Sequence, residues 1–265
     1  MGIAVITTQG DSKYKFVSDL NKRTGGGVQL LIIKKSKHLS FLERIRNFLK
    51  TPNDKILREL RYAILLRLNK KVRKSLEYFR ESNAMATKEK LPIPKVMEVD
   101  SVNSDEVYNA MRDVAPEILV IWGSEIIKPH ILNSAKKAVN LHMGTCPYYR
   151  GNLCNQFAVL NNDFSKIGAT IHYAVEKVDS GKIISLIQAD TSKPPRELFL
   201  DLNNRAQEKY LEVIEKIFRG EEISGEAQDL SLGKNFTLKQ WTRETRYNLG
   251  KKILKWESDG IKVFE

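Results

Sequence analysis

The sequence predicts an α/β protein built on a doubly wound, mostly parallel sheet with helices on both faces. Two observations carry this: apolar, β-branched runs recur without polar alternation, and helical patterns separate them. A strand buried on both faces has no solvent side to alternate with, so a helix-covered parallel sheet calls for continuous apolar runs. The chain's 265 residues can bury one large core, or one domain with an appendage.

Taken in order, Ile3 to Ile6 reads as a first buried strand, Asp11 to Lys22 as a polar helix, and Val28 to Ile33 as a second strand. The three glycines at 25 to 27 precede a strand, whereas a dinucleotide loop needs them between strand and helix, so they read as a turn. A second pass runs through a strand at Lys95 to Val99, a helix near Ser104 to Val114, the apolar Ile118 to Trp122, a short helix, and a strand at Ala138 to Leu141. Ligands of such sheets gather beyond the carboxyl ends of the strands. Further on come a strand-like stretch from Lys182 to Ala189 and a long helix from Pro195 to Arg219, with Leu198, Leu202, Ala206 and Leu211 at helical spacing. The last forty-odd residues are polar with scattered aromatics and say little about function.

Between the two passes lies a helical insertion, residues 36–91, which predicts helices over Leu39 to Lys50, Asp54 to Asn69 and Lys70 to Ser82. Ile56, Leu57, Leu60, Ile64 and Leu68 form one apolar stripe, and Val72, Leu76 and Phe79 another. Both stripes are expected to pack on the body or on each other, with Lys and Arg facing water. The insertion also holds the charge. From Lys34 to Lys90 there are 17 Lys and Arg against 6 Asp and Glu, or +11 of the net +12. The expected organisation is a catalytic domain over residues 1–205, interrupted by this basic insertion, and a C-terminal helix and extension over 206–265.

Apolar residues make up 42% of the chain and charged residues 29%, ordinary usage for a soluble protein, and no run would span a bilayer. The first residues lack the pattern of a secretory signal, so a cytoplasmic location is expected. Cys146 and Cys154 are too few for a disulfide framework and have no partners at zinc-ligand spacing.

The chemistry concentrates in V-N-L-H-M-G-T-C-P-Y-Y-R-G, Val139 to Gly151, which leaves a strand and enters a loop. Asn140 and His142 are two residues apart and project to one face of an extended strand. Asp179 follows in G-A-T-I-H-Y-A-V-E-K-V-D-S-G-K-I-I, at a tight turn between two strand patterns. An amide and an imidazolium N–H can stabilise a tetrahedral oxyanion, and a nearby carboxylate favours the charged imidazole and can relay a proton. Such a centre needs no metal. A metallohydrolase using His142, His172 and Asp179 would lack the usual H-x-x-x-H pairing, and Cys146 has no activating base to make it a nucleophile.

In order and spacing, N-L-H, P-Y-Y-R-G, G-A-T-I-H and V-D-S-G-K-I-I resemble the signature of the 10-formyltetrahydrofolate-dependent formyltransferases. That family includes methionyl-tRNA, glycinamide ribonucleotide and nucleotide-sugar N-formyltransferases. The resemblance is strong from about Pro116 to Ala189 and extends as topology to residue 1. It implies the Rossmann-like formyltransferase fold, 10-formyltetrahydrofolate as donor, and Asn140, His142 and Asp179 as catalytic residues. It implies a pterin slot lined by two loops: Glu125, Ile126 and Ile127 from one, Val175, Val178 and Asp179 from the other. Thr170 and His172, on the strand leading to Asp179, are expected to support the centre.

Where many members have Pro-Ser-Leu-Leu-Pro after the histidine, this chain has Met143, Gly144, Thr145, Cys146 and Pro147, so the acceptor side is expected to differ. A small anionic amine, such as a nucleotide-linked amino sugar, suits the basic chain. Three other readings stay open. One is a methionyl-tRNA formyltransferase, with the insertion tracking phosphates, although the polar tail leaves no room for that enzyme's additional β-barrel. Another is a 10-formyltetrahydrofolate hydrolase. The third is a non-enzymatic module binding nucleic acid or an anionic membrane surface through the insertion.

Overall fold

The protein is described by a computed structural model that covers residues 1–36, 53–80 and 92–261. A seven-stranded sheet forms its centre. The strands are β1 (Ile3–Thr8), β2 (Val28–Lys34), β3 (Lys95–Val99), β4 (Ile118–Trp122), β5 (Lys137–His142), β7 (Gly168–Tyr173) and β8 (Ile183–Gln188), in the order β3-β2-β1-β4-β5-β7-β8. The first five run parallel, and β7 and β8 close the edge antiparallel. A short β6 (Tyr149–Gly151) pairs in parallel with β9 (Lys234–Phe236) in a separate ribbon.

Successive side chains along each strand enter opposite cores, as pleating requires. Ile3, Val5, Leu31, Ile33, Val120 and Val139 join the larger cluster, while Ala4, Ile6, Leu30, Ile32 and Ile121 join the smaller. The larger is covered by α1 (Asp11–Arg23), α6 (Cys154–Leu160), α7 (Pro195–Phe218) and α8 (Arg243–Asp259). The smaller is covered by α4 (Asp105–Val114) and α5 (Pro129–Leu132). The order of connection reverses between β1 and β4, which makes their carboxyl ends the switch point where such sheets leave a crevice. Deep in the larger core the Tyr210 hydroxyl bridges the two central strands. It lies 2.7 Å from the Val139 carbonyl and 3.1 Å from the Ile121 carbonyl, and it accepts from the Ile121 amide.

Three expectations change. The expected division after residue 205 falls inside α7, which runs unbroken and buries both Leu202 and Ala206 in the same core. In the insertion, the predicted Leu39 to Lys50 helix lies outside the described residues. The second is α2 (Asn53–Leu68), and the third stops early as α3 (Lys70–Ser75), followed by a 3-10 turn at Tyr78–Arg80. The α2 stripe does not pack as expected: Leu57, Leu60, Ile64 and Leu68 are exposed, at 73%, 46%, 57% and 76%. Its adjoining face is held instead on α8, where Tyr62 meets the Tyr247 ring and bonds Glu244, Arg58 pairs with Glu244, and Arg243 pairs with Glu59. The inward face carries the buried Leu66 with the partly buried Ile56, Tyr62 and Ala63, beside these polar contacts with α8. The α3 stripe does bury, with Val72 against Gly250 and Phe79 on Phe199 at 4.0 Å.

The helix α8 falls within the expected C-terminal helix and polar extension, whose sequence set no bounds for it. Its signal was present, with Thr242 capping the Thr245 amide ahead of Leu249, Ile253 and Trp256 at helical spacing, but lysines and arginines dilute the pattern.

Candidate active site

Asn140 and His142 occupy the last turn of the β5 pleat and point to the face opposite Val139 and Leu141, as their spacing requires. Antiparallel pairing sets Asn140 opposite His172 and His142 opposite Thr170 on β7. The chain then turns through Val175 and Val178 to Asp179, whose φ of 47° lies in the left-handed region that aspartate tolerates better than most residues. Gly181 follows because a Cβ there would overlap the Tyr173 carbonyl.

These elements converge on one carboxylate. Oδ2 of Asp179 lies 3.2 Å from Nδ1 of His142 and accepts from the Gly151 amide at 2.8 Å. Oδ1 accepts from Nδ2 of Asn140 at 3.3 Å and lies 3.4 Å from Nε2 of His172. Burial raises the Asp179 pKa, but the His142 and His172 rings and the Gly151 N–H outweigh it and hold the carboxyl well below the usual range. His172 is fixed in turn, since its Nδ1 must donate to the Tyr173 carbonyl at 2.8 Å.

His142 donates from Nε2 to the Tyr149 carbonyl at 2.9 Å. Both of its nitrogens therefore face acceptors, and both contacts are attractive when both carry hydrogen. This differs from the expected arrangement, in which an imidazolium N–H is free to meet an oxyanion. Gly144 makes the Tyr149 contact possible, because a Cβ there would come within 2.5 Å of His142 Nε2 and collide with Cys154. Thr170 secures the same loop, donating to the Gly144 carbonyl at 2.6 Å and accepting from the Cys146 amide at 3.0 Å. Burial, then the Asp179 charge, push the Cys146 thiol up to about 12, so it stays a thiol at neutral pH.

The cluster opens on a cavity of about 710 Å³ at the carboxyl ends of β4 and β5, within the size range of small-molecule sites. Asn140, His142, His172 and Asp179 line it. So do all the residues expected in the pterin slot: Glu125, Ile126, Ile127, Val175 and Val178. They contribute differently. Ile127 belongs to the smaller core, while Ile126 is 68% exposed at the rim. The Glu125 side chain is spent on the loop after β3, accepting from Ser101 Oγ at 2.8 Å and the Val102 amide at 2.7 Å. Thr170 supports from behind and does not reach the cavity.

Other lining residues escaped the sequence reading. Lys13, in the first turn of α1, lays its Nζ 3.1 Å from the Trp122 ring centroid at the cavity wall. Among the described residues no carboxylate pairs with it, and burial pushes its pKa well below the usual lysine range. The neighbouring Ser124 hydroxyl is buried and has no hydrogen-bond partner among the described residues. Leu238 reaches the cavity from beyond β9. A helix lysine amid other polar residues carries no sequence signal, and only the β1–β4 adjacency brings it to Trp122. No group of three or more His, Cys, Asp or Glu among the described residues is arranged to hold a metal ion, and no described helix is long and apolar enough to cross a membrane.

Comparison with known proteins gives the family and the fold. The formyl transferase family model matches residues 1–215. The chain is 29% identical over 155 residues to a methionyl-tRNA formyltransferase of Limosilactobacillus fermentum, covering 56% of this chain and 48% of that protein. It is 30% identical over 159 residues to the corresponding protein of Desulfotalea psychrophila, covering 56% and 49%. The chain thus spans about half the length of the curated relatives it matches. In fold it is similar to a 4-N formyltransferase from Francisella tularensis, with a TM-score of 0.54 at 16% identity over 91% of this chain and 78% of that one.

Proposed function

This chain belongs to the formyl transferase family, and from that premise we propose that it moves a formyl group from 10-formyltetrahydrofolate to the primary amine of a small anionic acceptor, such as a nucleotide-linked amino sugar. The observation that carries the reading is the partly buried Asp179 carboxylate, gripped by Asn140, His142 and His172 in a ligand-sized cavity.

The pterin lies against backbone of residues 124–127 and 175–178, where the loose side-chain requirement suits groups read by main-chain amides and carbonyls. The acceptor amine attacks the formyl carbon. A C–N bond forms, the carbonyl oxygen becomes an oxyanion, and collapse breaks the bond to the folate nitrogen, leaving a formamide and tetrahydrofolate. Asn140 Nδ2 and a His142 N–H are the donors nearest that oxygen. Both are engaged within the protein here, so the oxyanion must take the place of a carboxylate or carbonyl oxygen as their partner; catalytic hydrogen bonds commonly tighten only when substrate is present. Asp179, ionised by its surroundings, orients the imidazole through Nδ1 and takes part in passing a proton from the amine to the folate nitrogen, directly or through water.

Lys13 supports an anionic acceptor: an ammonium with no carboxylate partner among the described residues, beside a Ser124 hydroxyl that has no hydrogen-bond partner among them, is complementary to phosphate or carboxylate oxygens. The test is an acceptor screen with 10-formyltetrahydrofolate, following tetrahydrofolate release and the mass gain of the amine. Amine-dependent release that vanishes in His142→Ala is the expected result. Release without any amine makes the protein a hydrolase, and formylation of charged tRNA alone replaces the small acceptor.

A further inference from the structure

The centre is braced by a part of the chain beyond the family match, which ends at residue 215. After α7 the chain returns across the site. Glu226 forms an antiparallel bridge with Ile183 at the start of β8. The β9 strand then lies along β6, with the Lys234 amide donating to the Tyr148 carbonyl and the Asn152 amide to the Phe236 carbonyl. Phe236 stacks on Tyr149 at 5.2 Å and on Phe157 at 4.6 Å. Tyr149 supplies the carbonyl that holds His142, and Gly151 the amide that holds Asp179.

Between these contacts Gln228 reaches the Asp179 turn. Its Nε2 donates to the Asp179 carbonyl at 3.1 Å and to the Gly181 carbonyl at 2.6 Å. Two carbonyl acceptors settle the orientation of the amide, because only its NH2 end can donate to both. Cys146 Sγ is also 3.5 Å from the Asp179 carbonyl. Among the described residues, that carbonyl would keep only this weak thiol donor without the Gln228 contacts. The turn has reason to need the clamp: Asp179 sits at positive φ, and the Gly181 carbonyl lies on the other side of Ser180.

We infer that Gln228 is a positioning residue, which holds the left-handed Asp179 turn so that the carboxylate meets His142, His172 and the Gly151 amide together. The C-terminal segment is thereby part of the active centre and not an appendage to it. Gln228 acts through Asp179 and contacts none of the reacting groups. The inference builds on the proposed formyl transfer for its kinetic consequence, but its structural content stands apart from the identity of the reaction.

The experiment uses the full chain with Gln228→Met, which keeps the length and removes both donors, and Gln228→Glu, which keeps the shape and sets a carboxylate against two carbonyls. Carboxyl-13C aspartate labelling follows the Asp179 titration in each protein, assigned by its loss in Asp179→Asn. With the clamp removed, the carboxylate slackens from His142 and His172, and its midpoint is expected to rise by about one unit, the lower end of the effect of a close opposite charge. Formyl transfer is expected to fall about tenfold to a hundredfold in kcat, the scale of a small misplacement, with acceptor and folate KM near wild type. An unchanged Asp179 midpoint in folded Gln228→Met and Gln228→Glu overturns the inference. So does a kcat equal to wild type. If wild type transfers no formyl group, the functional proposal fails, while the titration still decides the role of Gln228.

Discussion

Oδ2 of Asp179 lies 3.2 Å from Nδ1 of His142, and the opposite nitrogen of that ring is 2.9 Å from the Tyr149 carbonyl. The imidazole is thus held at both ends by groups that only accept hydrogen bonds, and its freedom to serve an oxyanion depends on which contact yields.

Removing either partner should separate chemistry from binding. His142→Ala and Asp179→Asn are each expected to lower kcat by about a hundredfold to a thousandfold, the usual cost of losing one oxyanion-stabilising group. Folate affinity, measured by fluorescence quenching, should change little. The double variant should be scarcely worse than the poorer single, because groups acting as a unit are non-additive. Wild-type turnover in both single variants would remove these residues from the mechanism.

The low pKa of Asp179 carries a stability consequence with a definite sign. A depressed folded pKa adds stability above the unfolded value, about 3.9, and loses it as pH falls towards the folded value. Urea unfolding of wild type should therefore show a loss of stability below about pH 4 that Asp179→Asn lacks. Parallel curves for the two proteins through that window would contradict the ionised carboxylate in the fold.

Lys13→Met should weaken binding of an anionic acceptor while sparing the formyl donor. The expected change is a rise in acceptor KM of about tenfold or more, consistent with about 1.5 to 3 kcal/mol for a hydrogen bond to a charged group. The wild-type effect should fade with rising pH, because the desolvated ammonium loses its proton earlier than an ordinary lysine. An acceptor KM equal to that of wild type would leave Lys13 a packing residue on Trp122.

Gly144→Ala tests the close approach behind His142. A methyl group there meets Cys154 and the His142 ring, so a loss of about 1 to 3 kcal/mol is expected, the usual cost of overpacking, together with reduced turnover. Tyr210→Phe provides the contrast. It strips a buried hydroxyl from Ile121 and Val139 and should cost about 1 to 3 kcal/mol, while folded protein keeps its kcat. Calorimetry and steady-state kinetics on the two variants separate the roles.

The sequence by itself determined the parallel strands and the helices between them, because apolar runs of that length can bury only in a sheet covered on both faces. It also determined that Asn140 and His142 share a face, since two-residue spacing on a strand permits nothing else, and the ordered motifs led to Asp179. Tertiary structure decided the rest. The order of β1 and β4 carries Lys13 to Trp122, the neighbouring α8 chose which face of α2 turned inward, and the return of the chain beyond α7 sets Gln228 against the Asp179 turn, 49 residues away. Such contacts join segments distant in sequence, so no local periodicity encodes them; they arise only when the packed core brings those segments together.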